Sequence, residues 1–317
     1  MLRMVLMRIL WAIATFFFVS IIIFVAIEAL PGDMATAYLG REITPASYAF
    51  YREEFGLNRP LFVRYFEWFF GMIRGDFGTS PLRSDTIYEL IIYRLRNTVV
   101  LGLMAALIGI PLAIVLGVYT ALNRDLRPDI ILSSISLGMM TLPEFVVAAL
   151  LIFIFGIRLK WFPAISILPA DTPIRELLPN VWLPIITLTT VMIAHILRLV
   201  RTSIIDVMQS DFVVTAILKG VPLPRVILLH ALPNAMLPTI NVIALTVAWL
   251  MSGSIIIEAM FNYPGIGSMM LIGITSRDFM LVQAIVMVLA AVYIGLNLAA
   301  DLISLFLNPR LRSERGS

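Results

Sequence analysis

Charged residues are scarce in this chain: Asp, Glu, Lys and Arg make up 14% of its 317 residues, and apolar residues make up 60%. A soluble domain carries about a quarter charged residues. A chain of this composition has too little polar surface to be globular in water, whereas about 20 apolar residues suffice to cross a bilayer as a helix. The composition therefore predicts an integral membrane protein.

Cysteine is absent, which excludes disulfides, zinc-thiolate sites, iron–sulfur clusters and cysteine nucleophiles. The two histidines, His195 and His230, leave little scope for a metal cluster, and no catalytic nucleophile–base pair has a meaningful spacing. No basic run interleaved with aromatics indicates nucleic-acid binding. We expect no enzyme activity, no cofactor and no metal in this chain.

Lysine occurs only at Lys160 and Lys219. A P-loop needs a lysine after glycine and before serine or threonine. Lys160 precedes Trp161 and Lys219 precedes Gly220, so neither can serve. Any ATP that drives this protein must be hydrolysed by a partner.

Six apolar segments predict an all-α fold with six transmembrane helices. The first is longer than the apolar region of a signal peptide, and we expect it to be a retained span. The six predicted spans are Ile9–Ile27, Thr98–Leu122, Ile131–Ile157, Val181–Leu199, Met236–Glu258 and Phe279–Leu307.

The loops between these segments differ in charge. Eleven Lys and Arg residues fall on the side of the N-terminus and four in the short loops of the other side. The positive-inside rule then places both termini in the cytoplasm. The predicted parts are the N-terminus with a first helix (1–30), an external segment (31–97), a five-helix core (98–309) with a cytoplasmic loop (201–238), and a cytoplasmic tail (310–317).

The external segment contains apolar residues at helical spacing between Asn58 and Arg74. This pattern predicts an amphipathic helix. It either lies in the membrane interface or packs on the spans, or it forms part of a docking platform for an external partner.

The cytoplasmic loop has the pattern of a helix–turn–helix knob. Ser203–Lys219 is amphipathic, and Gly220 permits a turn of positive φ after it. Pro222 and Pro224 stop the helix and allow a second one over Arg225–Leu232.

This loop resembles the EAA loop of ABC-importer permeases, whose pattern is Glu-Ala-Ala, three residues, Gly, nine residues, Ile, one residue, Leu-Pro. Gly220 stands at the glycine, Thr215 and Ala216 at the two alanines, and Leu232 and Pro233 at the terminal pair. Val214 replaces the Glu and His230 the Ile. The sequence is similar to the first permease subunit of the dipeptide, oligopeptide and nickel branch. Further stretches carry this likeness: Leu30-Pro31-Gly32-Asp33, Phe55-Gly56-Leu57-Asn58, Gly75-Asp76-Phe77-Gly78, Phe261-Asn262-Tyr263-Pro264-Gly265-Ile266-Gly267 and Asn308-Pro309-Arg310.

The resemblance implies a permease of the bacterial inner membrane that forms half of a pathway for peptides or related solutes. It implies three kinds of partner besides membrane lipid: a second related permease, two cytoplasmic ATPases that bind ATP-Mg, and an external solute-binding protein. It also implies that the cytoplasmic loop transmits ATPase motion. The expected coupling residues are Asp211, Thr215, Ala216, Lys219, Gly220, Leu232 and Pro233.

The main alternative is a proton-coupled secondary transporter, because ionisable groups within spans often act as relays. A membrane scaffold without transport is a second alternative. Hydrogen bonding at the interface or between helices is the competing interpretation of the ionisable groups within the spans, which include His195, Glu258 and Asp301.

Candidates for lining the pathway are Glu144, Asn241, Ser252 and Ser254. The two serines serve equally well for close packing against the second permease.

Overall fold

The computed structural model describes residues 2–30, 32–40, 43–80, 82–83, 85–253 and 255–307. These residues form helices joined by turns and loops, with one isolated β-bridge between Thr79 and Thr86. The α-helices are α1 (Leu2–Glu28), α2 (Met34–Leu39), α3 (Pro45–Glu54), α4 (Leu61–Ile73), α5 (Ile87–Leu122), α6 (Arg127–Thr141), α7 (Glu144–Leu151), α8 (Ile174–Leu177), α9 (Trp182–Met208), α10 (Asp211–Leu218), α11 (Leu223–Val226), α12 (Leu232–Gly253), α13 (Ile255–Met260), α14 (Ile266–Ser276) and α15 (Phe279–Leu307). The π-helix Ile152–Arg158 continues α7, and the π-helix Ile227–Ala231 continues α11. The 3₁₀ turn Leu178–Asn180 continues α8.

Four helices of the described chain, α1, α5, α9 and α15, are each long and apolar enough to cross a membrane. The number rises to six when each of two bent pairs is one span: α6 with Glu144–Arg158, and Leu223–Met236 with Pro238–Leu250, which bend by 58° next to Pro238 inside α12. The predicted all-α fold with six apolar segments is confirmed. The 36 residues of α5 extend about 54 Å, which exceeds the hydrocarbon core of about 30 Å. This helix therefore projects beyond the membrane.

The predicted third span, Ile131–Ile157, is not one straight helix. The chain bends by 109° between α6 and α7. Pro143 has no backbone N–H to donate, and it keeps Leu142 out of the helical region, at φ −80° and ψ 132°. The proline therefore ends α6 and starts α7.

The centre of the bundle is the contact between α5 and α9. Glycines on α5 face α9 so closely that larger residues would not fit. A Cβ on Gly117 would lie 2.6 Å from the Cβ of Val200, and a Cβ on Gly109 would lie 2.2 Å from the Cε of Met192. Small residues at such positions let helices approach closely in a membrane.

The predicted amphipathic helix of the external segment is present as α4, and it packs on the outer half of α1. Tyr65 is buried on this side, with its hydroxyl 2.8 Å from the Oγ of Ser20. Arg64 donates two hydrogen bonds to the carboxylate of Glu28, at 2.8 and 2.9 Å. The docking platform on this segment remains a prediction.

Candidate functional site

The cytoplasmic knob consists of α10, the turn at residues 219–222, and α11. The predicted first helix, Ser203–Lys219, is wrong as a single element. The spanning helix α9 continues to Met208, and a new helix starts at Asp211. Ser210 between them is extended, at φ −73° and ψ 148°, and its carbonyl accepts the N–H of Val213. The break sets α10 apart from α9.

The turn after α10 forms as the sequence predicts. Gly220 has φ +77°, which L side chains adopt only with strain. Its N–H donates to the carbonyl of Ile217 at 2.9 Å, and the N–H of Val221 donates to that of Ala216 at 3.2 Å. These two bonds define a Schellman motif, in which glycine relieves the steric cost of the left-handed residue.

The knob has an inner apolar face and an outer apolar face. Val213 and Val226 point inward and are fully buried. On the outside, Phe212, Leu223 and Leu218 are 48%, 50% and 82% exposed. Large apolar side chains that stay exposed on a segment outside the membrane point to an interaction surface. None of these three is among the predicted coupling residues, although apolar residues in a cytoplasmic loop of a membrane protein are a sequence signal for a partner-binding surface.

Five of the seven predicted coupling residues lie on the knob. Asp211 is the first residue of α10, and its carbonyl accepts the hydroxyl of Thr215 at 2.7 Å. Ala216 is half-buried, whereas Lys219 and Gly220 are exposed in the turn.

Leu232 and Pro233 lie apart from the knob, in the first turn of α12. The predicted second helix, Arg225–Leu232, is not a separate element. It is made of α11 and the π-helix Ile227–Ala231, and it passes into α12 without a break. Pro233, which has no N–H to donate, comes just after this π-helix, where the regular α-helical hydrogen bonding is already interrupted.

A buried ion pair joins the helix that precedes the knob to the neighbouring helix α6. Arg201 lies two turns before the end of α9, and its guanidinium donates to both carboxylate oxygens of Asp129, at 2.6 Å each. The hydroxyl of Ser133 and the backbone N–H of Asp125 also donate to this carboxylate. The side chain of Asp129 is 3% exposed. In the sequence, Arg201 is one of the eleven basic residues on the cytoplasmic side, and no local pattern predicts its pairing with Asp129.

Glu258 is fully buried at the outer end of the bundle. Its carboxylate accepts the hydroxyl of Thr98 at 2.6 Å and the N–H of Ser268 at 3.0 Å. Thr98 in turn accepts the N–H of Ile266 at 2.9 Å. For Glu258, the structure confirms hydrogen bonding between helices, which the sequence left as one of two interpretations.

The same outer region is held by further polar contacts. The amide of Asn97 donates to the carbonyls of Ala170 and Pro264, both at 2.9 Å. The buried hydroxyl of Tyr263 donates to the carbonyl of Asn97 at 2.7 Å. Burial, with the nearby carboxylate of Glu258, raises the pKa of Tyr263, so that this hydroxyl remains a donor. These bonds fix α5, about three turns after its first residue, to the loops that contain Ala170 and Tyr263-Pro264.

Three of the four pathway candidates lie in described helices, on α7 and α12. Glu144 is the half-buried first residue of α7, and Asn241 is an exposed residue of α12. Ser252 belongs to the last turn of α12, and Ser254 lies outside the described residues. Their roles remain predictions. Among the described residues, no group of three or more His, Asp or Glu is placed to hold a metal ion.

Comparison with known proteins matches the chain along nearly its whole length. A family model described as binding-protein-dependent transport system inner membrane component matches residues 109–313. A second model, for the N-terminal part of such membrane components, matches residues 1–102.

Three curated relatives have similar lengths. The probable peptide ABC transporter permease protein y4tP of Sinorhizobium fredii is 31% identical, over 97% of this chain and 98% of its own. The oligopeptide transport system permease protein AppB of Bacillus subtilis is 31% identical, over 92% and 94%. The glutathione transport system permease protein GsiC of Escherichia coli is 30% identical, over 98% and 99%.

Proposed function

The chain belongs to the family of binding-protein-dependent transport inner membrane components, and from this premise we propose that its cytoplasmic knob couples partner ATPases to the opening and closing of a peptide pathway. It is a multi-pass protein of the inner membrane and a transport component rather than an enzyme. The observation that carries the proposal is the outer apolar face of the knob, where Leu218 is 82% exposed on the basic side of the membrane.

The knob has the properties of a docking element. Its outer face offers apolar area to a partner, and its inner face is fixed by Val213 and Val226. A short helix held in this way moves as a rigid body when its partner moves, which is how two-state transporters transmit motion between subunits. The sequence of this chain contains no P-loop, so ATP-Mg binds to the ATPases that dock here.

The proposed complex contains two permeases, two ATPases and an external solute-binding protein. The external segment supports the last of these, because α2, α3 and α4 form an ordered outer structure tied to α1 by Arg64 and Glu28. The proposed cargo is a peptide or a related small solute. It rests on the likeness to permeases named for peptides, oligopeptides and glutathione.

The proposed coupling is tested by reconstituting the complex in vesicles with its binding protein and a labelled oligopeptide mixture. We expect uptake that requires ATP inside the ATPase compartment and persists when an uncoupler removes the proton gradient. Uptake that survives without ATP and stops with the uncoupler would contradict the proposal and favour secondary transport.

A further inference from the structure

A groove with a volume of about 460 Å³ lies between α1 and α15. The two helices are antiparallel, so the groove runs from Arg8 to Val19 on α1 and from Asp301 to Ala290 on α15. Its surface is mostly apolar, with one polar end.

The polar end is an ion pair between the guanidinium of Arg8 and the carboxylate of Asp301. The two side chains remain 35% and 50% exposed. Both groups therefore keep surface for a further ligand. Asn297, one helical turn before Asp301, also lines the groove.

The length of the groove corresponds to one leaflet of a bilayer. It covers eleven residue steps on each helix, from 8 to 19 and from 301 to 290. At 1.5 Å per residue this is about 16 Å, or about half of a hydrocarbon core of about 30 Å. Arg8 belongs to the basic, cytoplasmic side, so the polar end lies at the headgroups of the inner leaflet.

We propose that this groove is a binding site for one phosphatidylethanolamine molecule of the inner leaflet. An acyl chain lies along the apolar part, between the aromatic side chains of Trp11 and Tyr293. Arg8 donates to the phosphate, and Asp301 accepts from the protonated amine.

The charges of the site favour this headgroup over others. Arg8 and Asp301 together present one positive and one negative group, which complement the phosphate and the ammonium of a zwitterionic lipid. Phosphatidylglycerol has no cation for Asp301. Phosphatidylcholine has a quaternary ammonium without an N–H to donate. A helix of another protein would have to bury both charges, and the desolvation of each ion costs several kcal/mol. A hydrated headgroup avoids that cost.

The test is native mass spectrometry of the detergent-purified transporter, titrated with phosphatidylethanolamine, phosphatidylcholine or phosphatidylglycerol of identical acyl chains. A hydrogen bond to a charged group contributes about 1.5 kcal/mol, so we expect one tightly retained phosphatidylethanolamine with about tenfold preference over phosphatidylcholine. Asp301→Asn removes the acceptor charge. It is expected to abolish that preference and to raise retention of phosphatidylglycerol, a switch that loss of packing alone would not produce.

Two variants with matched controls test the headgroup and the chain separately. Arg8→Gln is expected to lower retention of phosphatidylethanolamine about tenfold, whereas Arg3→Gln, on the same helix but outside the groove, leaves it unchanged. Ala290→Phe fills the groove and is expected to abolish retention, whereas Ile13→Phe, on an exposed face of α1, does not.

The proposal is overturned if the wild-type protein retains the ethanolamine and choline lipids equally, or if Asp301→Asn leaves their ratio unchanged. A single cysteine in place of Thr15 that crosslinks to another subunit, with no lipid retained, would overturn it in favour of a protein contact. The chain has no cysteine of its own, so such a label is unique within it.

Discussion

Arg201 on α9 binds both carboxylate oxygens of Asp129 on α6, and it does so two helical turns before α9 ends and the knob begins. A displacement of the knob that moves the end of α9 therefore also pulls on the start of α6. The Ser136 hydroxyl, which donates to the carbonyl of Ala194 at 2.7 Å, gives the same two helices a second contact. We expect α6 to follow the knob.

Breaking this pair should reduce both stability and coupling. In Asp129→Ala the guanidinium of Arg201, which is 24% exposed, loses its carboxylate partner, at a cost of about 1–3 kcal/mol. We expect a lower thermal unfolding temperature in detergent and a lower ratio of solute transported to ATP hydrolysed. Arg198→Gln removes an exposed charge from the same helix and should change neither. A normal transport ratio in Asp129→Ala would show that the pair only stabilises the fold.

The turn of the knob needs a residue that tolerates positive φ. Gly220→Val introduces a β-branched residue at φ +77°, with a strain of about 1–2 kcal/mol. An added Cβ meets no atom within 4 Å, so the cost comes from backbone strain and not from a clash at Cβ. We expect normal insertion but reduced ATP-driven uptake, with Gly220→Asn closer to wild type because Asn tolerates this region. Gly220→Pro is expected to leave insertion intact and abolish uptake.

The control for the turn is Gly40→Val, at the end of α2. Like Gly220, that glycine has a positive φ, +58°, and an added Cβ there would meet no atom within 4 Å, but it lies on the external side. The readout that separates the two is the amount of ATPase recovered with the purified permease, because the external segment is itself proposed to receive the binding protein. Equal losses of the ATPase in Gly40→Val and Gly220→Val would argue against a special role for the knob.

The exposed apolar face predicts how the knob binds. Leu218→Glu places a charge in the contact with the ATPase, and we expect the ATPase to be lost when the tagged permease is purified in mild detergent. Ile167→Glu changes a residue of similar exposure, 78% against 82%, in the loop on the outer side. Its complex should stay intact. Recovery of the ATPase with Leu218→Glu in normal amount would exclude this face as the docking surface.

The buried carboxylate of Glu258 leaves no room for a side chain at Gly265. A Cβ there would lie 2.3 Å from the carboxylate, although the backbone, at φ −101° and ψ 177°, suits any residue. We expect Gly265→Ala to destabilise the protein by about 1–3 kcal/mol, as overpacking does. Gly138→Ala in α6 meets no atom within 4 Å and should be neutral or stabilising. Thermal unfolding of the two purified variants compares them, and equal stability would contradict the packing around Glu258.

The sequence predicted those features that depend on local patterns. Gly220 between two helical segments predicted its turn, and the apolar spacing after Asn58 predicted α4. The break at Ser210 was missed because Ile204 to Lys219 keeps a helical pattern across it. The Asp129–Arg201 and Glu258–Thr98 contacts join residues 72 and 160 positions apart. Such pairs depend on how the helices pack, which periodicity along the chain does not encode.

The bend at Pro143 is an intermediate case. Proline predicts a disturbed helix, but many membrane helices continue through a proline, as α5 does at Pro111. The angle of 109° follows only from the packing of α6 and α7 against α9.

Site-specific photocrosslinking from position 218 tests the central claim most directly. A cysteine in place of Leu218 is the only thiol of the chain, and it can carry a short photoreactive group in the native membrane. The coupling account predicts a crosslink to a P-loop ATPase, whose yield changes when ATP is trapped, and no such crosslink from a cysteine in place of Ile167. A product that contains no ATPase, or equal ATPase crosslinks from both positions, would contradict it.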